Sequence, residues 1–145
     1  MGYIKVWIHL VWTTKNREPL LLKEIRDNLF EHIRENAHGK DLYIDTINGY
    51  SEHIHCLVSL PSGQTIDKIL MLLKGESSHW MNKNKLVKTK FEWQDEYFAV
   101  SVSESAVKKV REYIRDQKEH HRKKSFQEEY NEFIQAYGFD KVVSG

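Results

Sequence analysis

The chain has 145 residues, 40% of them hydrophobic, and a net charge of +1 from 22 Lys and Arg against 21 Asp and Glu. This size and composition predict one globular domain over residues 1–145, and they exclude a disordered chain. No apolar run approaches the length of a transmembrane helix, so we expect no membrane partner. Cys56 is the only cysteine, which excludes an internal disulfide and favours a reducing cytoplasm.

The first half of the chain predicts a strand, a helix and two further strands. Alternation over Ile4–Trp12 has the period of a half-buried strand, and Leu21–Ala37 carries apolar residues four apart, as a helix does. Leu42–Ile47 predicts a second strand, which the turn signal Asn48-Gly49 follows. Ile54–Leu60 alternates again and predicts the third strand.

The second half predicts a helix, a strand and two C-terminal helices. Residues 65–82 carry an apolar helical stripe, and 98–102 alternate as a strand. Ser103 or Ser105 can cap a helix that runs to about Arg122, and Phe126–Tyr137 predicts a last one. The order βαββαβ predicts an α+β, ferredoxin-like (RRM-like) sandwich with a four-stranded antiparallel sheet. Its two helices would cover one face and leave the other for a ligand or the C-terminal helices.

A His-hydrophobic-His pair lies at the start of the third predicted strand. Because side chains alternate along a strand, His53 and His55 point to one face, and Ile54 and Cys56 point to the other. If the apolar set packs under the helices, both imidazoles stand on the uncovered face. A lone strand histidine is usually structural, whereas for two neighbouring ones on the polar face the spacing leaves a metal site and a structural role equally open.

Tyr113 and Gln117 form a second pair, one helical turn apart on the same predicted helix. Spacing alone favours a boundary aromatic and a surface amide. A phenol has a pKa near 10, so Tyr113 needs a nearby cation or proton acceptor to attack at neutral pH.

Positive charge is concentrated in two segments. Residues 82–90 contain four lysines and no acid, and residues 107–124 contain eight Lys and Arg against three Asp and Glu. Such segments can bind phosphates, although a solvated helix face is their commoner cause.

Five segments appear in order along the chain: VWTTKNREP, GYSEHIHCLVSLP, LKGESSHWMN, FEWQDEYFAVSVS and VREYIRDQKEHH. Together they resemble the single-tyrosine transposases of the His-hydrophobic-His (HUH) endonuclease superfamily. That family serves the smallest bacterial insertion sequences and includes domesticated relatives that act on repetitive extragenic palindromes. The resemblance spans about Tyr3 to Tyr137.

The resemblance implies that His53, His55 and Gln117 bind Mg²⁺ or Mn²⁺ and that Tyr113, on the C-terminal helices, is the catalytic nucleophile. It implies cleavage and rejoining of single-stranded DNA beside hairpin ends through a 5′-phosphotyrosine. It also implies a homodimer in which the tyrosine helix can serve the partner's site.

Further residues are expected near the DNA or the metal. The expected DNA contacts are Lys74, Ser77, Ser78, Lys83, Lys85, Lys109, Arg111, Arg115 and Lys118. His9 shares the polar-face parity of the first strand, where it is either structural or close to the metal. We interpret His120 and His121 as phosphate contacts or exposed residues rather than ligands.

Two positions depart from the family pattern, and two alternative functions stay open. Glu96 stands where a glycine is common, and Asp116 stands where an asparagine is frequent. An extra acid beside the metal could change metal preference, and Glu96 could alter the fourth strand or a DNA contact.

A domesticated enzyme would use the same phosphotyrosine chemistry without a mobile element. A non-catalytic RRM-like module would instead stack bases on strand aromatics such as Trp7, but histidines occupy the matching face of the third strand.

Overall fold

The computed structural model describes residues 2–136. Its strands and helices in chain order are β1 (Trp7–Thr14), α1 (Lys23–Gly39), β2 (Ile44–Gly49), β3 (His53–Ser59), α2 (Ile66–Lys83), β4 (Trp93–Val102), α3 (Val107–Arg115), α4 (Gln117–Lys123) and α5 (Phe126–Ala136). Short 3₁₀ turns at Lys15–Arg17 and Glu104–Ala106 follow β1 and β4. Tyr137, the predicted end of the last helix, lies outside the described residues.

The four strands form one antiparallel sheet in the order β2-β3-β1-β4. β1 is central: its Leu10 pairs with Cys56 of β3 on one side and with Ala99 of β4 on the other. With α1 and α2 between the strands in sequence, this topology confirms the predicted ferredoxin-like α+β fold.

The two faces of the sheet have different neighbours. Leu10, Trp12, Ile54 and Cys56 lie on one face and are almost fully buried. They pack with side chains of α1 and α2: Leu29, Ile33, Ile69, Leu70 and Leu73. The opposite face carries the histidines of β1 and β3, as strand alternation predicts, and α3 packs against it.

Apolar and polar contacts both hold α3 on this second face. Val107 and Ile114 join Trp7 and Leu57 in a small buried cluster. The guanidinium of Arg111 donates two hydrogen bonds of 2.8 Å to the carboxylate of Asp45 in β2. A bidentate charged pair of this kind fixes orientation as well as position.

The predicted long helix to Arg122 is wrong, because it is divided into α3 and α4. The side-chain amide of Asn48 donates to the carbonyls of Ile114 and Arg115, at 3.0 and 3.1 Å. These are the orphan carbonyls at the end of α3, so the helix can end there without unsatisfied groups. Asp116, with φ −96° and ψ 26°, then leaves helical geometry and joins the two helices.

The element ends also differ from the predictions. β1 begins at Trp7, and β4 begins at Trp93 rather than at Phe98. Thr65 caps α2 by accepting from the Lys68 amide at 3.2 Å. The predicted serine cap before α3 is wrong: Ser103 precedes a 3₁₀ turn and makes no capping bond through its side chain.

The predicted turn at Asn48-Gly49 is also wrong, since both residues belong to β2. A Cβ added to Gly49 would lie 2.1 Å from the carbonyl oxygen of His53. Only glycine allows this approach, and the amide of Tyr50 closes the hairpin on the same carbonyl at 3.0 Å. Gly49 therefore lets β2 pass directly beside the first histidine of the pair.

Candidate active site

His53 and His55 lie side by side on the second face of the sheet and are both fully buried. Their ring centroids are 5.0 Å apart. Nδ1 of His53 lies 2.6 Å from Oε1 of Glu52, and Nδ1 of His55 lies 2.9 Å from Nε2 of His9. Neighbouring side chains contact both Nδ1 atoms, so the two Nε2 atoms can serve one common site. Metal-binding histidines are usually held in the same way, through a hydrogen bond at the ring nitrogen that does not bind the metal.

Burial favours the neutral form of His9 and His55. It lowers the pKa of His9 to about 3 and that of His55 to about 4, because a charged ring would lose its hydration. A neutral imidazole keeps a lone pair on one nitrogen, which is the form that binds a metal. His9 is thus a buried support for His55 rather than a solvent-facing residue.

Tyr113 and Gln117, the second pair predicted from sequence, lie next to His53 and His55. Gln117 is fully buried at the start of α4, and its Oε1 lies 3.0 Å from Nε2 of His53. Its Nε2 donates to the carbonyl of Tyr113 at 3.3 Å. The ring centroid of Tyr113 is 5.5 Å from that of His55. The four residues named from sequence therefore meet within one chain.

Glu129 of α5 is a component of the site that sequence reasoning missed. Its side chain is 3% exposed, and its oxygens lie 2.9 Å from Nε2 of His55 and 3.7 Å from Nε2 of His53. The hydroxyl of Tyr113 donates to the same carboxylate. A signal was present, because Glu129 stands between Phe126 and Tyr130 on the apolar face of a predicted helix, where an acid requires a partner.

The carboxylate and the phenol affect each other's pKa in opposite directions. Burial, and then the negative charge of Glu129, raise the pKa of Tyr113. Burial also raises the pKa of Glu129, but hydrogen bonds to His121 and His55 outweigh it and hold that pKa below its usual range. The stable pair is thus a carboxylate with a neutral phenol.

The arrangement around His53 suits a cation. In the tautomer whose Nδ1–H donates a hydrogen bond to Glu52, the Nε2 lone pair of His53 faces the Gln117 oxygen. Nε2 of His55 and an oxygen of Glu129 face the same space, and the possible ligand atoms of His53, His55 and Glu129 lie within 4.8 Å of one another. Lone pairs that converge in a buried site are stabilised by a metal ion, so the residues fit a divalent cation.

Two histidines of α4 surround the site. Nε2 of His121 lies 2.9 Å from Glu129, and its ring stacks on Tyr50 with centroids 5.0 Å apart. At 4% side-chain exposure, His121 is not the solvent-exposed residue that we expected. The ring centroid of His120 is 4.5 Å from that of Tyr113. The His120 ring therefore limits how the phenol can move.

The expected DNA contacts divide by position. Lys109, Arg115 and Lys118 are exposed on α3 and α4, the helices that carry Tyr113 and Gln117. Lys83 and Lys85 are exposed at the end of α2, which packs on the opposite face of the sheet from the histidines.

Four other expected contacts have partners within the protein. The ammonium of Lys74 donates to the carbonyl of Gln94 at 2.7 Å, and Arg111 binds Asp45. Ser77 is fully buried, donates to the carbonyl of Leu73 at 2.6 Å and accepts from Trp93, so the expectation that it contacts DNA is wrong. Ser78, one residue further, donates to the carbonyl of Gly75 at 3.1 Å.

The two unusual acids lie outside the group of metal-binding side chains. Within residues 2–136, that group is His53, His55 and Glu129. Asp116 is exposed at the junction of α3 and α4. Glu96 accepts a hydrogen bond of 2.9 Å from the hydroxyl of Tyr130, which ties β4 to α5.

Among the described residues, none of the helices combines the length and apolarity needed to cross a membrane.

Comparisons with known proteins bear on this geometry. The model of the family "Transposase IS200 like" matches residues 3–117, a range that ends at Gln117. The ISDra2 transposase TnpA of Deinococcus radiodurans is 30% identical over 123 residues, which cover 80% of this chain and 87% of that protein. A solved structure of a candidate transposase from Deinococcus radiodurans R1 superposes with a TM-score of 0.65 and 26% identity, over 81% of this chain and 95% of that one.

A second solved structure shares the fold. It is a REP-associated tyrosine transposase bound to a REP hairpin, with a TM-score of 0.63, 20% identity, and coverage of 83% of this chain and 72% of that one.

Proposed function

The chain belongs to the family of IS200-like transposases, and we propose that it cleaves and rejoins single-stranded DNA beside hairpin ends through a covalent link to Tyr113. The observation that carries this proposal is the meeting of a buried amide oxygen and two imidazoles beside one phenol. His53 and Gln117 are 64 residues apart in sequence yet 3.0 Å apart in space.

The proposed cation is Mg²⁺ or Mn²⁺, held by His53, His55 and Gln117, with the carboxylate of Glu129 within reach. Nitrogen and oxygen donors of this kind suit such ions. When bound, the ion polarises the scissile phosphate and orients it for in-line attack. Glu52 and His9 hold the two imidazole rings in place, which supports the assignment because ligating histidines need such partners.

Tyr113 would supply the nucleophile. Its phenol oxygen forms a bond to phosphorus as the bond to the 3′ oxygen breaks, and the phenolic proton leaves as the 3′ oxygen gains one. The products are a 5′-phosphotyrosine and a free 3′ hydroxyl. Attack by a 3′ hydroxyl on the phosphotyrosine reverses the step and joins strands, with no water or nucleotide consumed.

Exposed positive charge on α3 and α4, the helices of Tyr113 and Gln117, supports binding of the cleaved strand. Lys109, Arg115 and Lys118 would contact backbone phosphates there. A hairpin is the proposed recognition element, as in the REP-associated transposase that shares the fold. Lys83 and Lys85 lie across the sheet, so they would contact the hairpin arm rather than the cleaved strand.

We propose that the active form is a homodimer, as the family resemblance implies. In the single chain, α3 places Tyr113 beside its own histidines. The tyrosine can act in its own chain's site (in cis) or in the partner's site (in trans). Mixed dimers of His53→Ala and Tyr113→Phe chains distinguish the two, because only a tyrosine that acts in trans restores one complete site.

The genomic setting decides between a mobile element and a domesticated enzyme. Subterminal palindromes that bracket the gene indicate an insertion sequence, and scattered repeats indicate a domesticated role. The same palindromes supply the hairpin sequence for cleavage and DNA-binding assays.

Cation dependence tests the proposed function. A hairpin oligonucleotide with single-stranded flanks is incubated with the protein and Mg²⁺ or Mn²⁺, with a chelator as control. We expect cleavage only with the cation. Binding without cation-dependent cleavage would instead support a non-catalytic module of the RRM kind.

A further inference from the structure

A cavity of about 320 Å³ opens beside the active site, between the end of β1, strand β4 and helix α5. Its walls include Asn16, Arg17, Gln94, Glu96, Phe98 and Tyr130. They combine two aromatic rings, two amides, a guanidinium and a carboxylate. The proposed chemistry at Tyr113 uses none of them.

The loop that forms one wall has an unfavourable backbone. Asn16 and Arg17 adopt φ values of 58° and 55°, in the left-handed region that side chains such as arginine rarely occupy. The backbone N–H of Asn16 donates to Oε1 of Gln94 at 3.0 Å, which ties the loop to β4. Strained backbone of this kind is concentrated at ligand-binding positions.

The opposite wall supplies aromatic surface. The guanidinium of Arg17 lies 4.4 Å from the ring centroid of Tyr130, and that ring is 5.1 Å from the ring of Phe98. The Tyr130 hydroxyl donates to Glu96. An arginine plane and aromatic rings next to amide groups are what proteins use to stack an unpaired base and read its edge.

The cavity lies next to the proposed metal ligands. Phe126 stacks on His53 with ring centroids 4.4 Å apart, and the Arg17 guanidinium lies 5.2 Å from the same Phe126 ring. In β1, Val11 of the cavity wall pairs with His55. One aromatic ring therefore separates the cavity from the place where the scissile phosphate would bind.

We propose that this cavity binds one unpaired nucleobase of the cleaved DNA strand, close to the scissile phosphate. The base stacks on Tyr130 beside Arg17, and the amides of Asn16 and Gln94 face its edge. The volume lies at the lower end for small-molecule pockets, which suits one nucleotide and excludes a duplex. The inference rests on the proposed function, because it needs a single strand at the histidines.

A 2-aminopurine scan tests the proposal. The fluorescent base is placed in turn at each position of the single-stranded flanks of the hairpin oligonucleotide. We expect quenching on binding at one position, and an abasic residue there weakens binding by about 5- to 100-fold, the range for loss of one base–aromatic stack.

Two variants assign the effect to the cavity. Tyr130→Leu removes the ring but stays apolar, and Arg17→Gly removes the guanidinium at a φ that glycine tolerates. Each should abolish the quenching and the abasic penalty, so if one variant fails to fold the other still decides. The control Lys15→Gln also loses one positive charge, but its side chain is exposed and pairs with Glu92, so it should keep both signals.

The outcomes separate the two levels of inference. Quenching that is absent at every position, or that persists in both variants, overturns the cavity assignment even if cleavage by the wild type is normal. A wild-type protein that neither binds nor cleaves the strand overturns the proposed function itself. Position-specific quenching that either folded variant loses supports the cavity.

Discussion

The hydroxyl of Tyr113 on α3 donates a hydrogen bond to the carboxylate of Glu129 on α5, 16 residues further along the chain. The same carboxylate lies 2.9 Å from Nε2 of His55. One carboxylate therefore contacts both the proposed nucleophile and a proposed metal ligand. A substitution at Glu129 tests this contact.

Glu129→Gln should lower the pKa of Tyr113. Burial is the larger cause of the raised pKa and remains in the variant, but the negative charge that disfavours the phenolate is removed. We expect a pKa below that of the wild type but still above the ordinary range. Tyrosinate absorbance, read as the difference from a matched Tyr113→Phe protein, measures it. An unchanged pKa would show that the carboxylate does not act on the phenol.

Glu52→Gln should weaken metal binding although Glu52 is not a ligand. Its carboxylate holds Nδ1 of His53 at 2.6 Å, and loss of such a partner typically costs about 10- to 100-fold in affinity. Calorimetric titration with Mn²⁺ measures the change. Glu92→Gln, an exposed acid paired with Lys15, is the matched control. Equal affinity of Glu52→Gln and the wild type would contradict a metal at His53.

Ile114→Ala should destabilise the protein by about 2–4 kcal/mol, the usual cost of a large-to-small change in a packed core. Ile114 is fully buried in the cluster that docks α3 on the sheet. Urea denaturation measures the free energy of unfolding. Met71→Ala, at a side chain that is 73% exposed, should change it by less than about 0.5 kcal/mol. A similar effect of both changes would mean that α3 is not packed as described.

The Asp45–Arg111 pair should make the docking of α3 sensitive to acid. The hydrogen bonds from Arg111 hold the pKa of Asp45 below its usual range. A carboxyl whose pKa is lowered by folding contributes stability above its ordinary pKa, and that contribution is lost as the pH falls through the folded value. The wild type should therefore melt above Asp45→Asn at neutral pH.

This difference in melting temperature should shrink at a pH below the ordinary range of aspartate. Thermal melts of both proteins across that range measure it. A gap that stays constant at all pH values would show that the charge of Asp45 is not what stabilises α3.

Local periodicity was sufficient to predict most of the fold. Alternation in β1 and β3 placed His53 and His55 on the face away from Leu10 and Cys56, and the structure has them there. The order of the elements then predicted the sheet. These features depend on neighbours in sequence, so a single chain reveals them.

Features that depend on distant residues were not predictable. The amide of Asn48 ends α3, and no local pattern near Arg115 marks that break. Ser77 looked like a surface serine, but Trp93 and the carbonyl of Leu73 hold it in the core. Glu129 stood on the apolar face of a predicted helix, but its place in the site depends on the packing of α5 against the histidines, which is a tertiary arrangement.

Covalent capture of DNA tests the central claim most directly. Wild type and Tyr113→Phe are incubated with Mg²⁺ and the hairpin oligonucleotide, and denaturing electrophoresis then separates the protein–DNA adduct. We expect an adduct with the wild type and none with Tyr113→Phe, while a gel-shift assay shows that the variant still binds the DNA. An adduct that forms equally well without the Tyr113 hydroxyl would contradict its assignment as the nucleophile.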